Sequence, residues 1–177
     1  MSATQLLEQQ HREVEALFSK LEKKAGRSED VSDLLDELAN NLAGHMTIEQ
    51  ELLYPNVENL AHDQIFEAYE EHALAEIALK RLLASDPRTE AFKARVVALK
   101  ELVLHHVKEE EQELFPILED KLDEKQLETL GQRMQQRFEE VLENGYAAYI
   151  PQGVGRTSAD LSKKLIKAAR EKRKRAA

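Results

Sequence analysis

The sequence contains no cysteine. That excludes a disulfide framework, a thiolate metal site of the zinc-finger or iron–sulfur kind, and a thiol nucleophile; any metal held here is held by nitrogen and oxygen. Tryptophan is absent as well, and 177 residues include only six glycines, four prolines, five phenylalanines and four tyrosines. So few chain breakers and aromatics leave little from which to build a sheet, and the Leu, Glu, Lys and Ala in their place favour helices. No apolar run approaches the length of a membrane-spanning helix. The amino terminus shows neither the basic start nor the apolar stretch of an export signal, so the expectation is a soluble, cytoplasmic protein.

What remains is 42% hydrophobic and 33% charged, enough for one ordinary domain with a substantial core. The net charge of −9 is unevenly spread: from Arg156 onward there are nine Lys and Arg against Asp160 and Glu171. An acidic body carries a basic tail.

Apolar residues recur at helical spacing in five stretches. The first, over Thr4 to Ala25, carries Leu7, Val14, Phe18 and Leu21 on one face with His11 among them, and Gly26-Arg27-Ser28 ends it. The second aligns Val31, Leu35, Leu38, Leu42, His45, Glu49 and Leu52, and Pro55 is expected to kink or end it. Ile65, Tyr69, His72, Glu76, Leu79 and Leu83 form the third seam, closed by the turn Ser85 to Thr89 with Pro87 suited to a first helical position. The fourth runs through Phe92, Val96, Leu99, Val103, His106, Glu110, Leu114 and Ile117. A fifth helix, from about Asp123 to Glu143, has an apolar stripe without candidate ligands and is expected to pack on the others, with Asn144-Gly145 as its cap. The spacing predicts an all-α protein: an up-down-up-down four-helix bundle over residues 1–120, an additional C-terminal helix over 121–145, and a linker and basic tail over 146–177. The tail's Leu161, Leu165 and Ala169 suit a weak helix. Its Lys and Arg suit nucleic acid or an anionic lipid surface, but no aromatic residue interleaves with them, which favours a solvated tail.

Two stretches are nearly the same. His45-Met-Thr-Ile-Glu49-Gln-Glu-Leu-Leu-Tyr54-Pro55 and His106-Val-Lys-Glu-Glu110-Glu-Gln-Glu-Leu-Phe115-Pro116 both read H-x3-E-x4-[YF]-P, 61 residues apart, and His11 and His72 are separated by the same interval. In a helix, residues four apart share a face, so each stretch offers an imidazole and a carboxylate pointing one way, a bidentate half-site for metal. The midpoint of His11 and His45 is residue 28, in the first turn; that of His72 and His106 is residue 89, at the end of the Ser85 to Thr89 turn. Residues equidistant from the turn of an antiparallel helix pair lie at one height. Four imidazoles therefore share a layer of the bundle, with Glu49 and Glu110 one helical turn away, about 5–6 Å. Left unpaired in a core, such groups cost several kcal/mol per ion, roughly, and two cations would satisfy them.

With these motifs the chain resembles the hemerythrin-like (HHE cation-binding) family, whose pattern is H, HxxxE, H, HxxxE with [YF]P following, over about residues 5 to 118. The resemblance implies two Fe ions in an oxo- or hydroxo-bridged di-iron centre, His11 and His45 on one ion, His72 and His106 on the other, and Glu49 and Glu110 bridging. Manganese or zinc would suit the same donors. It also implies a protein that binds or reacts with O2, H2O2 or NO, in sensing, scavenging or storage, with oxidative stress as the natural setting. The alternatives are a catalase-like or NO- or O2-reducing enzyme, an iron store, or a structural metal bundle. The oxygen-carrying hemerythrins have HxxxH on the third helix, where this sequence has His72-Ala-Leu-Ala-Glu76, and a carboxylate five residues after the last His, where here it follows at four. Glu76, and Glu15 in His11-Arg-Glu-Val-Glu15, are therefore further candidate ligands, or hydrogen-bond partners of ligating histidines. Anionic oxygen in place of neutral nitrogen favours the ferric state, which sets reversible O2 carriage back against peroxide or nitric oxide chemistry. Tyr69 is read as a core tyrosine, Tyr54 and Phe115 as packing at the bundle end, and His62 and His105 as bystanders.

Overall fold

The computed structural model describes residues 1–27, 30–151 and 158, and among these there is no strand. Seven α-helices follow in order: α1 (Ala3–Lys24), α2 (Ser32–Ile48), α3 (Tyr54–Val57), α4 (His62–Leu83), α5 (Glu90–Glu109), α6 (Phe115–Lys121) and α7 (Glu124–Asn144). The four long helices α1, α2, α4 and α5 form the bundle core, and α7 lies against α1 and α2.

Local chemistry sets the helix ends. Ser2 opens α1 with a reciprocal cap, its hydroxyl accepting from the Gln5 amide while the Gln5 side chain accepts from the Ser2 amide, and Asp123 and Gln126 repeat the device at α7. α5 begins later than Pro87 suggested, because the Thr89 hydroxyl accepts the Phe92 amide at 3.1 Å and fixes the start there. Pro87 instead offers its carbonyl to the Gly26 amide at 3.0 Å, which ties the turns after α1 and α4 together. Gly26 reaches that position at φ +75, a left-handed conformation that other residues adopt at a cost.

The prolines do not end the helices. α2 widens into a π-helical turn at Glu49–Leu53 and continues as α3; α5 does the same at Glu110–Leu114 and continues as α6. A proline ring clashes with the carbonyl four residues back, and a turn closed over five residues, here by the Tyr54 and Phe115 amides on the Glu49 and Glu110 carbonyls, gives it room. Each π turn starts at the glutamate of its motif.

The core is divided. One apolar cluster gathers Phe18, Leu21, Leu38, Leu79, Phe92 and Leu99, and the other Leu7, Ile48, Leu53, Tyr54, Ile65 and Leu118. Between them lies the polar layer. α7 adds Leu127, Leu130, Met134 and Phe138 to the second cluster and approaches closely: a Cβ at Gly44 would sit 2.6 Å from two ring carbons of Phe138. Arg137 on α7 also donates to Glu51 of the first π turn at 2.9 Å. Beyond Pro151 the expected linker and basic tail lie outside the described residues, apart from Ser158.

Candidate metal centre

Each bundle helix delivers one imidazole to the layer: His11 from α1, His45 from α2, His72 from α4 and His106 from α5, with Glu49 and Glu110 from the two π turns. All six are buried, Glu49 completely. Nε2 of His45 and of His72 lie 3.3 and 3.2 Å from Glu49 Oε2; Nε2 of His11 and of His106 lie 3.4 and 3.6 Å from Glu110 Oε2. His72 and His106 face one another through Nε2 at 3.0 Å. Their donor atoms fall into two groups, His11, His45, Glu49 and Glu110 in one, and Glu49, His72 and His106 in the other. The groups share Glu49.

Four atoms of this layer, His11 Nε2, His45 Nε2, Glu49 Oε1 and Glu110 Oε2, are buried without a hydrogen-bond partner among the described residues. Buried polar atoms are paired as a rule, so a converging set of unpaired lone-pair donors marks a place for a cation. The other ring nitrogen of every imidazole is held. Nδ1–H of His11 donates to Glu111 at 2.8 Å, that of His106 to Glu71 at 2.8 Å, and that of His45 to the Gln10 amide oxygen at 3.0 Å. The Gln50 amide, through its nitrogen, lies 3.0 Å from His72 Nδ1. Turned over, its oxygen accepts Nδ1–H and leaves Nε2 free for metal. Gln10, Gln50, Glu71 and Glu111 went unread in the sequence, although they obey its 61-residue interval: Gln10 and Glu71 precede His11 and His72, and Gln50 and Glu111 follow Glu49 and Glu110.

Tyr54 is not end packing. Its hydroxyl enters the layer, 3.2 Å from Glu110 Oε1, 3.4 Å from Glu49 Oε2 and 3.3 Å from His72 Nε2. In an uninterrupted α-helix residue 54 would point about 140° away from residue 49; the π turn brings it back. Phe115, its counterpart in the repeat, stacks on His11 with centroids 6.0 Å apart and has no hydroxyl to offer. Tyr69 donates to the Gln50 carbonyl at 3.3 Å, as a satisfied core tyrosine.

Glu15 and Glu76 are not brought into either group of donors. Glu76 is fully buried but turns to Lys80, 2.6 Å away, and accepts the Ser158 amide at 2.7 Å. Glu15 pairs with Arg12, which also holds Glu111, so Glu15 reaches His11 only through that chain. His62 is exposed beside Asp63. His105 is also at the surface, where it groups with Glu71 and Glu109.

Electrostatics divide the layer. Burial pushes His45 and His72 well below the usual imidazole range, reinforced by the neighbouring His11 and His106, and it pushes Glu49 and the Tyr54 phenol well above theirs. For Glu110, burial is outweighed by His106, His11 and His45, and its carboxyl falls below the usual range; burial of His106 is likewise outweighed by Glu110 and Glu71, and it rises. Without metal the centre keeps a charged side around Glu110 and a neutral side around Glu49.

All four imidazoles also line a cavity of about 20 Å³, otherwise mostly apolar, with Val14, Leu42 and Met46 among its walls. It has room for one water or one diatomic molecule. A second small cavity beside it, about 30 Å³, is acidic, with Glu67, Glu71, Glu109 and Glu113 leading to Glu110 and His106.

Four imidazoles and two carboxylates, presented by an all-helical bundle with unpaired nitrogen and oxygen lone pairs converging, define a cation-binding helical bundle. The chain belongs to the hemerythrin HHE cation-binding family: that family's model matches residues 2–118. A hemerythrin HHE cation binding domain-containing protein from Mycobacterium kansasii, solved by crystallography, is 28% identical with a TM-score of 0.74, covering 92% of this chain and 99% of that one. A DNA nickase of Nostoc sp. is 27% identical over 129 residues, 72% of this chain but 36% of the relative, so the chain spans about a third of that protein's length. Among the described residues no helix is long and apolar enough to cross a membrane.

Proposed function

We propose that this chain holds two iron ions between its mirrored helix pairs and binds or reacts with O2 or a related small oxidant beside them. His11 and His45 hold one ion, His72 and His106 the other, and Glu49 and Glu110 lie between. The observation that carries this reading is the set of unpaired, buried donor atoms on His11, His45, Glu49 and Glu110, with the donor atoms of His72 and His106 gathered around the same Glu49. Nitrogen and carboxylate oxygen suit iron, and bound iron supplies redox chemistry to a neighbouring small molecule. The chain's own residues do the rest. Hydrogen bonds at Nδ1 fix the rings so that Nε2 faces inward, the apolar walls exclude bulk water, and a cavity of about 20 Å³ limits the ligand to the size of O2, NO or H2O2.

A second reading, turnover of peroxide, gains support from Tyr54. Its Oη holds a proton 3.2 to 3.4 Å from both carboxylates, kept there by burial and by Glu110 and Glu49. A buried proton source at the centre suits a reaction that needs one. Anaerobic loading with Fe(II), then exposure to air under optical spectroscopy and a peroxide-consumption assay, separates the two. Binding gives a stable spectral change without consumption; turnover gives sustained loss of peroxide. A chain that takes up no iron refutes both.

A further inference from the structure

The four histidines are not backed alike. His11 and His106 donate Nδ1–H to carboxylates, Glu111 and Glu71, at 2.8 Å, whereas His45 and His72 face the amides of Gln10 and Gln50 at 3.0 Å. The internal repeat explains the pattern: the interval of 61 that carries His11 to His72 and His45 to His106 carries Gln10 to Glu71 and Gln50 to Glu111. Both carboxylates belong to the second half of the repeat, but Glu111 crosses to a histidine of the first half. Each expected ion therefore has one carboxylate-backed and one amide-backed imidazole. The two carboxylate-backed rings are also the two nearest Glu110, at 3.4 and 3.6 Å, and the amide-backed pair is nearest Glu49, at 3.3 and 3.2 Å.

A carboxylate that accepts Nδ1–H forms a charge-assisted bond about twice as strong as one to a neutral amide, fixes the tautomer with Nε2 unprotonated, and makes that nitrogen a stronger donor. We propose that Glu111 and Glu71 are positioning residues, one for each metal ion: Glu111 sets the strength with which His11 holds its ion, and Glu71 does the same through His106. The inference rests on the two-ion reading above. Both carboxylates sit at the rim, with side chains 24% and 17% exposed, Glu111 against the Arg12 guanidinium and Glu71 beside the His105 ring. They join the buried ligands to the protein surface.

The test uses the full chain loaded with Co(II), with release followed by absorbance against an excess of chelator. Wild type binding two ions supports the underlying reading, and wild type binding none overturns it together with this one. In E111Q, which keeps shape and removes charge, one of the two ions is expected to leave about 10–100-fold faster while the other keeps its rate. E71Q should give the same result for the other ion, and the double variant should speed both. R12Q, which removes the cation that shares the Glu111 oxygen with His11 but keeps the Glu111 carboxylate, should speed release of the His11 ion by less than E111Q does and leave the other ion at its wild-type rate. Thermal melts of the metal-free variants separate folding from binding. Equal acceleration of both ions in either single variant, unchanged release in both, or an R12Q effect as large as that of E111Q would overturn the assignment.

Discussion

Tyr54 and Phe115 occupy equivalent places in the two halves, and only one of them has a hydroxyl. If the centre turns over peroxide, Tyr54→Phe keeps both metal ions but slows peroxide consumption about a hundredfold, the usual size of a lost proton donor; an unchanged rate with full metal content assigns the phenol to packing. Glu76 is buried against Lys80 rather than among the imidazoles, so Glu76→Gln is expected to lower stability by about 1–3 kcal/mol without altering metal content. Denaturant unfolding and elemental analysis of the same samples report both, and a lost ion would return Glu76 to the ligand set. The histidines also fix a pH response. In the metal-free protein His45 and His72 stay neutral below their ordinary value of 6.5 because burial penalises the charged ring. At these two rings the unfolded chain binds more protons than the folded one, so their contribution to stability falls as the pH drops below about 6.5, while Glu49 and His106, both raised, lose their contribution in the opposite direction, as the pH rises. Chemical denaturation of the metal-free protein across pH 5 to 8, in the wild type and in the His45→Gln, His72→Gln double variant, checks this: the wild type should lose more stability than the variant between pH 6.5 and 5, and an equal loss in both would contradict it.

At the scale of the helix, the sequence made the seams and the four-histidine layer legible because both depend only on period and on distance from a turn. The hydroxyl of Tyr54 was hidden because its position depends on a π turn, and an α-helical period carried through Pro55 points it elsewhere. Glu76 misled for a related reason. It shares the seam of His72 and is buried as that seam requires, but burial alone does not choose between a metal and Lys80. The backing residues were within reach, since the repeat extends one position beyond the ligands at Gln10 and Gln50, but their chemistry appears only when another helix is placed opposite. The fifth helix announced its apolar stripe, and its depth of contact rests on Gly44. Gly44→Ala puts a methyl 2.6 Å from the Phe138 ring and is expected to cost about 1–3 kcal/mol as overpacking, read as a lower unfolding midpoint. A neutral substitution would mean that α7 shifts freely along α2.

Taken whole, the molecule is two similar helix pairs joined turn to turn through Gly26 and Pro87, with an apolar cluster on either side of a polar layer. That arrangement is unfavourable unless something occupies the layer. Hydrophobic residues of the same volume would stabilise the bundle more easily than six buried ionisable groups, so the polarity is explained by the cations it receives. The repeat gives each proposed ion the same kind of neighbourhood, and the differences between halves, Tyr against Phe and Gln against Glu, make the two sides chemically distinct.

The most direct test is a count of metal per chain after anaerobic Fe(II) loading and removal of excess, in the wild type and in Glu49→Ala and Glu110→Ala. Two ions per wild-type chain, and fewer in each variant, is the expected result. No uptake by the wild type, or two ions retained in both variants, would contradict the placement of a two-metal centre between the helix pairs.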